Sequence, residues 1–165
     1  MADPDGVHAS FGWNDHGVAY DALSVRQPWV HAICHLGKRI ENRNWPLSKA
    51  TPWIGRRIAI HASQLVDRDS VRALRDAGHD VPDQLPTSGI VAVAHLAQVM
   101  AADHAIRCYP DQVAWITGPL CLVLADVLVL PRPVGCSGQL GWWLMGDRVR
   151  LDVAAQAREL EAARG

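Results

Sequence analysis

Apolar and polar residues alternate with different periods along this 165-residue chain, and the changes of period outline its elements. "YDALSV" (20–25) reads as a first strand, and "QPWVHAICHLGK" follows as a short helix with Pro28 at its first position and Gly37 as its stop. "RRIAIHAS" (56–63) has period two, with Ile58 and Ile60 on one face and Arg57, Ala59, His61 and Ser63 on the other, which predicts a strand. "DRDSVRALRDAGH" predicts a helix capped by Asp67 or Asp69, with Val71, Leu74 and Ala77 at helical spacing and Gly78 closing it. Two long β-branched runs, 89–100 and 119–130, read as core strands. "GWWLM" (141–145) predicts a short last strand, and "LDVAAQARELEAAR" an Ala-rich terminal helix. Residues 1–20 show no period and are expected to form a flexible tail, which leaves 21–165 as a single domain.

Strands outnumber helices and no regular βαβ alternation is present. The expected class is therefore α+β: a small mixed or antiparallel sheet that curls into a barrel with helices at its sides.

One segment breaks the pattern. In "RIENRNW" (39–45) the odd positions are Arg39, Glu41, Arg43 and Trp45 and the even ones Ile40, Asn42 and Asn44, so neither face gives a core more than one large apolar group. Such a strand is either a solvent-facing edge blunted by charge or the lining of a polar cleft. His61 and Ser63, polar and opposite an apolar face on the next strand, favour the cleft.

Charge sharpens this picture. The chain carries a formal net charge of -1, which gives it no global bias toward polyanions. Residues 38–75, however, hold nine basic side chains against three acidic ones, a local net of +6. Four well-spaced cysteines without a CxxC pair argue against a zinc ribbon or a disulfide framework and for reduced thiols. "MADPDGVHAS" has neither a basic nor an apolar leader region, and Asp126 interrupts the longest apolar run. A cytoplasmic protein with no membrane segment is expected.

"LSVRQPWVHAICHLGKRIENRNW" followed by "GRRIAIHAS" resembles the ASCH domain, a member of the PUA-like superfamily with a G-x-K-x-x-E-x-R motif after a short helix. We read Gly37, Lys38, Glu41 and Arg43 as that motif. "LPRPVGCSGQLGWWLM" is similar to the family's closing segment, so the resemblance spans roughly residues 22–146. It implies a small PUA-like β-barrel with flanking helices and a cleft beside the motif. It also implies an association with RNA and modified bases. Members include RNA-binding modules, cytidine-derivative amidohydrolases and proteins that cut single-stranded RNA.

The expected partner is RNA, another single-stranded nucleic acid or a modified nucleoside, with no cofactor and no metal. Candidate binding residues are Arg26, Gln27, Trp29, Lys38, Arg39, Glu41, Arg43, Arg57 and Trp142: cations for phosphates, fork-shaped donors for base edges, and indoles for stacking. If the cleft is hydrolytic, Lys38, Glu41, His61 and Ser63 are the candidate catalytic residues. In the amidohydrolase members a Thr stands at the position of Glu41, and a catalytic Glu falls where this chain has only Asp103 and Asp111. Two further groupings are weighed and set aside. His31, Cys34 and His35 have a ligand-like helical spacing without a fourth ligand, and Cys136 beside Ser137 lacks a base.

Overall fold

A computed structural model describes residues 21–165, so the expected tail, residues 1–20, lies outside the described residues. The strands are β1 (Asp21–Gln27), β2 (Ile40–Arg43), β3 (Arg57–Val66), β4 (Gly89–Ala101), β5 (Leu120–Gly135) and β6 (Trp142–Leu144). The helices are α1 (Trp29–His35), α2 (Arg68–Asp76), α3 (Ala102–Cys108) and α4 (Asp147–Arg164). The strands form one mixed sheet in the order β2-β5-β4-β3-β1-β6, in which β1 and β3 are parallel and the other pairs antiparallel.

The sheet curls into a barrel-like shape but is not closed by hydrogen bonds. Its edges β2 and β6 are unpaired with each other, and side chains span the gap: Arg43 at the end of β2 donates to the Ser24 carbonyl on β1 at 2.7 Å. Trp45, just past β2, brings its ring within 6.0 Å of Trp142 on β6.

Both faces of the central strands are buried, which explains why they read as apolar runs. Leu23, Val25, Ile58 and Ile60 join Val30 and Ile33 of α1 in one core, while the alternate residues Ala22 and Ala59 join Val149, Val153 and Ala157 of α4 in a second. β5 extends beyond the expected 119–130, through Pro131 and Pro133. Neither proline needs an acceptor, and the intervening Arg132 N–H is taken by the side chain of Gln156 on α4 at 3.0 Å. α4 begins at Asp147, one turn earlier than expected. α3 and the 3₁₀ turn Pro110–Trp115 were not expected; α3 buries only Ala105 and has no side-chain cap, so it leaves little periodic signal. No helix of the described residues is long and apolar enough to cross a membrane.

Candidate functional site

Gly37 ends α1 with φ +76°, a left-handed conformation that an L side chain resists, and the chain turns into β2. Its neighbour Lys38 is 1% exposed although it is charged. Its Nζ donates to Glu41 Oε2 at 3.0 Å and to the Ile40 carbonyl. The other carboxylate oxygen, Glu41 Oε1, faces Arg43 Nη2 at 3.2 Å. Lys38, Glu41 and Arg43 thus form one continuous chain of charges, and Arg43 extends it to β1 through Ser24. Burial of such ions is tolerated only because each is paired and hydrogen-bonded.

These residues line a pocket of about 590 Å³, a size suited to a small organic molecule. Its walls come from both sides of the open sheet edge: Ser24 and Arg26 of β1, Ser63 and Leu65 of β3, and Asn42, Asn44 and Trp45 around β2. Three indoles, Trp29, Trp45 and Trp115, face it. Trp45 carries cations on its ring, with Arg43 Cζ 4.9 Å and Lys49 Nζ 4.5 Å from the centroid. Arg43 Nε and Ser63 Oγ are buried and have no hydrogen-bond partner among the described residues.

The far wall is held by two amides. Asn42 donates to the Trp115 carbonyl at 2.8 Å and accepts from the amides of Thr117 and Gly118 at 2.9 and 3.1 Å. Gln112 donates to the Gly37 carbonyl at 3.1 Å and accepts from the Arg39 amide at 2.7 Å. Asp67 on the opposite rim caps α2, and the hydrogen bonds from the Ser70 amide and hydroxyl hold its carboxyl below the usual carboxylate range.

Of the candidates read from sequence, Arg26, Trp29, Lys38, Glu41, Arg43 and Ser63 line the pocket; Gln27, Arg39, Arg57, His61 and Trp142 do not. Gln27 accepts from the His31 amide and donates to the Pro86 carbonyl, which fastens α1. Arg39 turns back onto the Ile33 and Lys38 carbonyls. Arg57 is bound to His95 and to Glu161 of α4. Trp142 stacks on Trp53 at 5.0 Å and donates to the Lys49 carbonyl.

His61 lies in a closed relay of its own. The Trp143 indole donates to Ser24 Oγ at 3.0 Å, Ser24 Oγ lies 3.2 Å from His61 Nδ1, and His61 Nε2 lies 3.0 Å from the Cys136 carbonyl. A carbonyl only accepts, so Nε2 carries the proton and Nδ1 receives the Ser24 hydroxyl. Burial pushes the imidazole below its ordinary pKa, with the Cys136 contact opposing the shift. Burial likewise raises the Cys136 thiol. It pushes Cys34 up to about 12, which leaves it an unreactive thiol. Among the described residues no His, Cys, Asp or Glu cluster could hold a metal.

Lys38, Glu41 and Arg43 keep the K-x-x-E-x-R spacing, whereas Gly37 directly precedes the lysine instead of standing two before it, so the glycine's match to the family pattern is corrected. The comparison that decides the fold is structural. ASCH from Zymomonas mobilis superposes at a TM-score of 0.53 and 14% identity, over 82% of this chain and 93% of that one. The fold is ASCH-like. Two crystal structures of single-substitution mutants of the same protein match at TM-scores of 0.50 and 14% identity, each over 82% of this chain and over 94% and 96% of theirs. No family model matches the chain, and none of the curated proteins matches its sequence. Within this ASCH-like frame the pocket opens at the gap between the sheet's two edges.

Sequence reasoning missed Ser24, Asn42 and Trp115. Asn42 stood in the anomalous amide-rich strand, and that was its signal. Ser24 and Trp115 reach the site through strand order and through the excursion between β4 and β5, which no local pattern reports.

Proposed function

We propose that the domain binds single-stranded RNA, or a modified nucleoside, by taking one base into this pocket. One observation carries the reading: the paired charges of Lys38, Glu41 and Arg43 form the buried floor of a pocket faced by three indoles. Base-on-indole stacking contributes about 1–3 kcal/mol per base. The paired floor offers both N–H donors and a carboxylate acceptor to a base edge. Arg43 Nε and Ser63 Oγ support the same reading, because an unpaired buried polar group costs about 1–3 kcal/mol and a bound ligand is a natural partner. Titration of the indole fluorescence with RNA oligonucleotides tests it. Arg43→Gln and Trp115→Ala should each weaken binding about tenfold or more, and affinity should fall as salt rises. Affinity indifferent to both substitutions and to salt would sink the proposal.

A hydrolytic use of the pocket is the second reading, favoured by the direct contact of Lys38 Nζ with Glu41 Oε2 on the floor. Turnover of labelled RNA or of modified nucleosides that disappears in Glu41→Gln, under conditions where circular dichroism shows that variant still folded, would establish it. Binding without turnover leaves the first reading standing.

A further inference from the structure

The floor of the pocket has an order as well as a charge. Lys38 and Arg43 stand on either side of Glu41, with Nζ 3.0 Å from one carboxylate oxygen and Nη2 3.2 Å from the other, so the row reads donor, acceptor, donor. None of the three is saturated by its neighbours. The Lys38 ammonium has three N–H donors and gives two, to Glu41 and to the Ile40 carbonyl. Glu41 accepts one cation at each oxygen, and a carboxylate offers about four lone pairs. Arg43 Nη2 serves Glu41 and the Ser24 carbonyl, while Nε has no partner among the described residues. Exposure rises along the row, from 2% of the Lys38 side chain through 9% of Glu41 to 17% of Arg43, so it opens into the pocket at its Arg43 end. Asn42, Ser24 Oγ and Asp67, also in the lining, are committed to the far wall, to His61 and to Ser70. Ser63, by contrast, keeps a buried hydroxyl with no partner among the described residues.

We propose that the pocket selects uracil among the bases, reading its Watson–Crick edge with Lys38, Glu41 and Arg43. This rests on the base-binding reading above and adds to it the identity of the base. The uracil edge presents O2, N3–H and O4, that is, acceptor, donor, acceptor, which is the complement of the row. N3–H donates to the Glu41 carboxylate, and the two carbonyl oxygens accept from Lys38 and from Arg43, with the Ser63 hydroxyl as a further donor. Cytosine fails at the centre and at one end, because its N3 turns a lone pair toward the carboxylate and its amino group points N–H bonds at a cation. Adenine fails in the same two places. Guanine matches with O6 and N1–H but presents its amino group to the remaining cation. A site built from hydrogen-bonding groups rejects the wrong edge because its own buried groups are then left unpaired.

The test titrates the wild type, Ser63→Ala and Arg43→Lys with hexanucleotides of uridine, of cytidine and of N3-methyluridine, followed by indole fluorescence. The uridine strand should bind about tenfold or more tightly than the cytidine strand. N3-methyluridine keeps both carbonyls and loses the N–H, so it should fall to the cytidine level; this separates edge reading from the looser stacking of uridine strands. Both variants should narrow the preference about threefold or more by weakening uridine alone. Arg43→Lys keeps the charge, and with it the salt dependence, but lacks Nε. Ser63→Ala should melt no lower than the wild type, because it removes a hydroxyl that has no partner in the free protein, whereas a merely structural serine would lower the Tm and leave the preference untouched. Equal binding of uridine and cytidine, N3-methyluridine as tight as uridine, or a preference that neither variant changes would overturn the inference and leave the pocket reading intact. Failure of every strand to bind would overturn both. If circular dichroism shows Arg43→Lys unfolded, Ser63→Ala and the N3-methyluridine comparison decide.

Discussion

The Asn42 side chain donates to the Trp115 carbonyl at 2.8 Å, so the strand that carries Glu41 and Arg43 also fastens the pocket's far wall. The floor of the site and its Trp115 face, which come from separate elements, are therefore fastened to each other through one side chain of β2.

Removing that fastening should be costly. Asn42→Ala leaves the Trp115 carbonyl and the Thr117 and Gly118 amides without their partner. A loss of about 2–3 kcal/mol is expected, read as a lower urea midpoint at unchanged slope. An unchanged midpoint would mean that water replaces the amide at no cost.

The buried charges should respond asymmetrically. Glu41 stands between two cations, so Glu41→Gln strands both Lys38 and Arg43, whereas Lys38→Met leaves Glu41 still paired with Arg43. Breaking a buried pair from one side costs about 3–5 kcal/mol, and Glu41→Gln should fall in or above that range with Lys38→Met below it. Chemical denaturation of the two variants decides the order, and the reverse order refutes it.

Acid should weaken the fold through His61. Its folded pKa is depressed by burial, so the unfolded chain takes up a proton that the folded one refuses. That contribution is fully present above the unfolded value of about 6.5 and is lost as the pH falls from there toward the folded value. His35, depressed by burial and by His31, has the same sign. His61→Asn should lower stability at neutral pH and flatten the loss between about pH 7.5 and 5.5. Urea midpoints across that range test it; parallel curves would contradict it.

The loop beside His61 should tolerate no extra carbon. A Cβ on Gly138 would sit 2.3 Å from His61 Cε1 and 2.8 Å from Ser24 Oγ, both held in the relay. Gly138→Ala should cost about 1–3 kcal/mol as an overpacked site, visible as a lower melting temperature. A Tm equal to that of the wild type would show that the loop moves freely.

The elements themselves were legible where burial was one-dimensional. Ile58 and Ile60, the runs of β4 and β5, and the Asp67 cap of α2 announce themselves because strand and helix periods are local properties of the backbone. Lys38, Glu41 and Arg43 were legible for the opposite reason: charges placed where a strand expects apolar groups mark a site that must be paired. Trp142 and His61 misled, since an indole or imidazole beside polar residues looks the same whether it faces a ligand or a neighbouring side chain. Trp53 and the Cys136 carbonyl, which occupy them, are distant in sequence.

The order of residues by itself determined the α+β class, most strand and helix positions and the cluster of paired ions after α1, because periodicity and charge act over a few residues. Tertiary structure decided that the curled sheet stays open between β2 and the β1–β6 edge. It also decided that Ser24, Ser63 and Trp115 meet the ions there and that His61 is sealed away. Those outcomes follow from strand order and from hydrogen bonds between residues 19 to 119 positions apart, such as Arg43 with Ser24 and Trp143 with Ser24. Contacts at such separations leave no periodic trace along the chain.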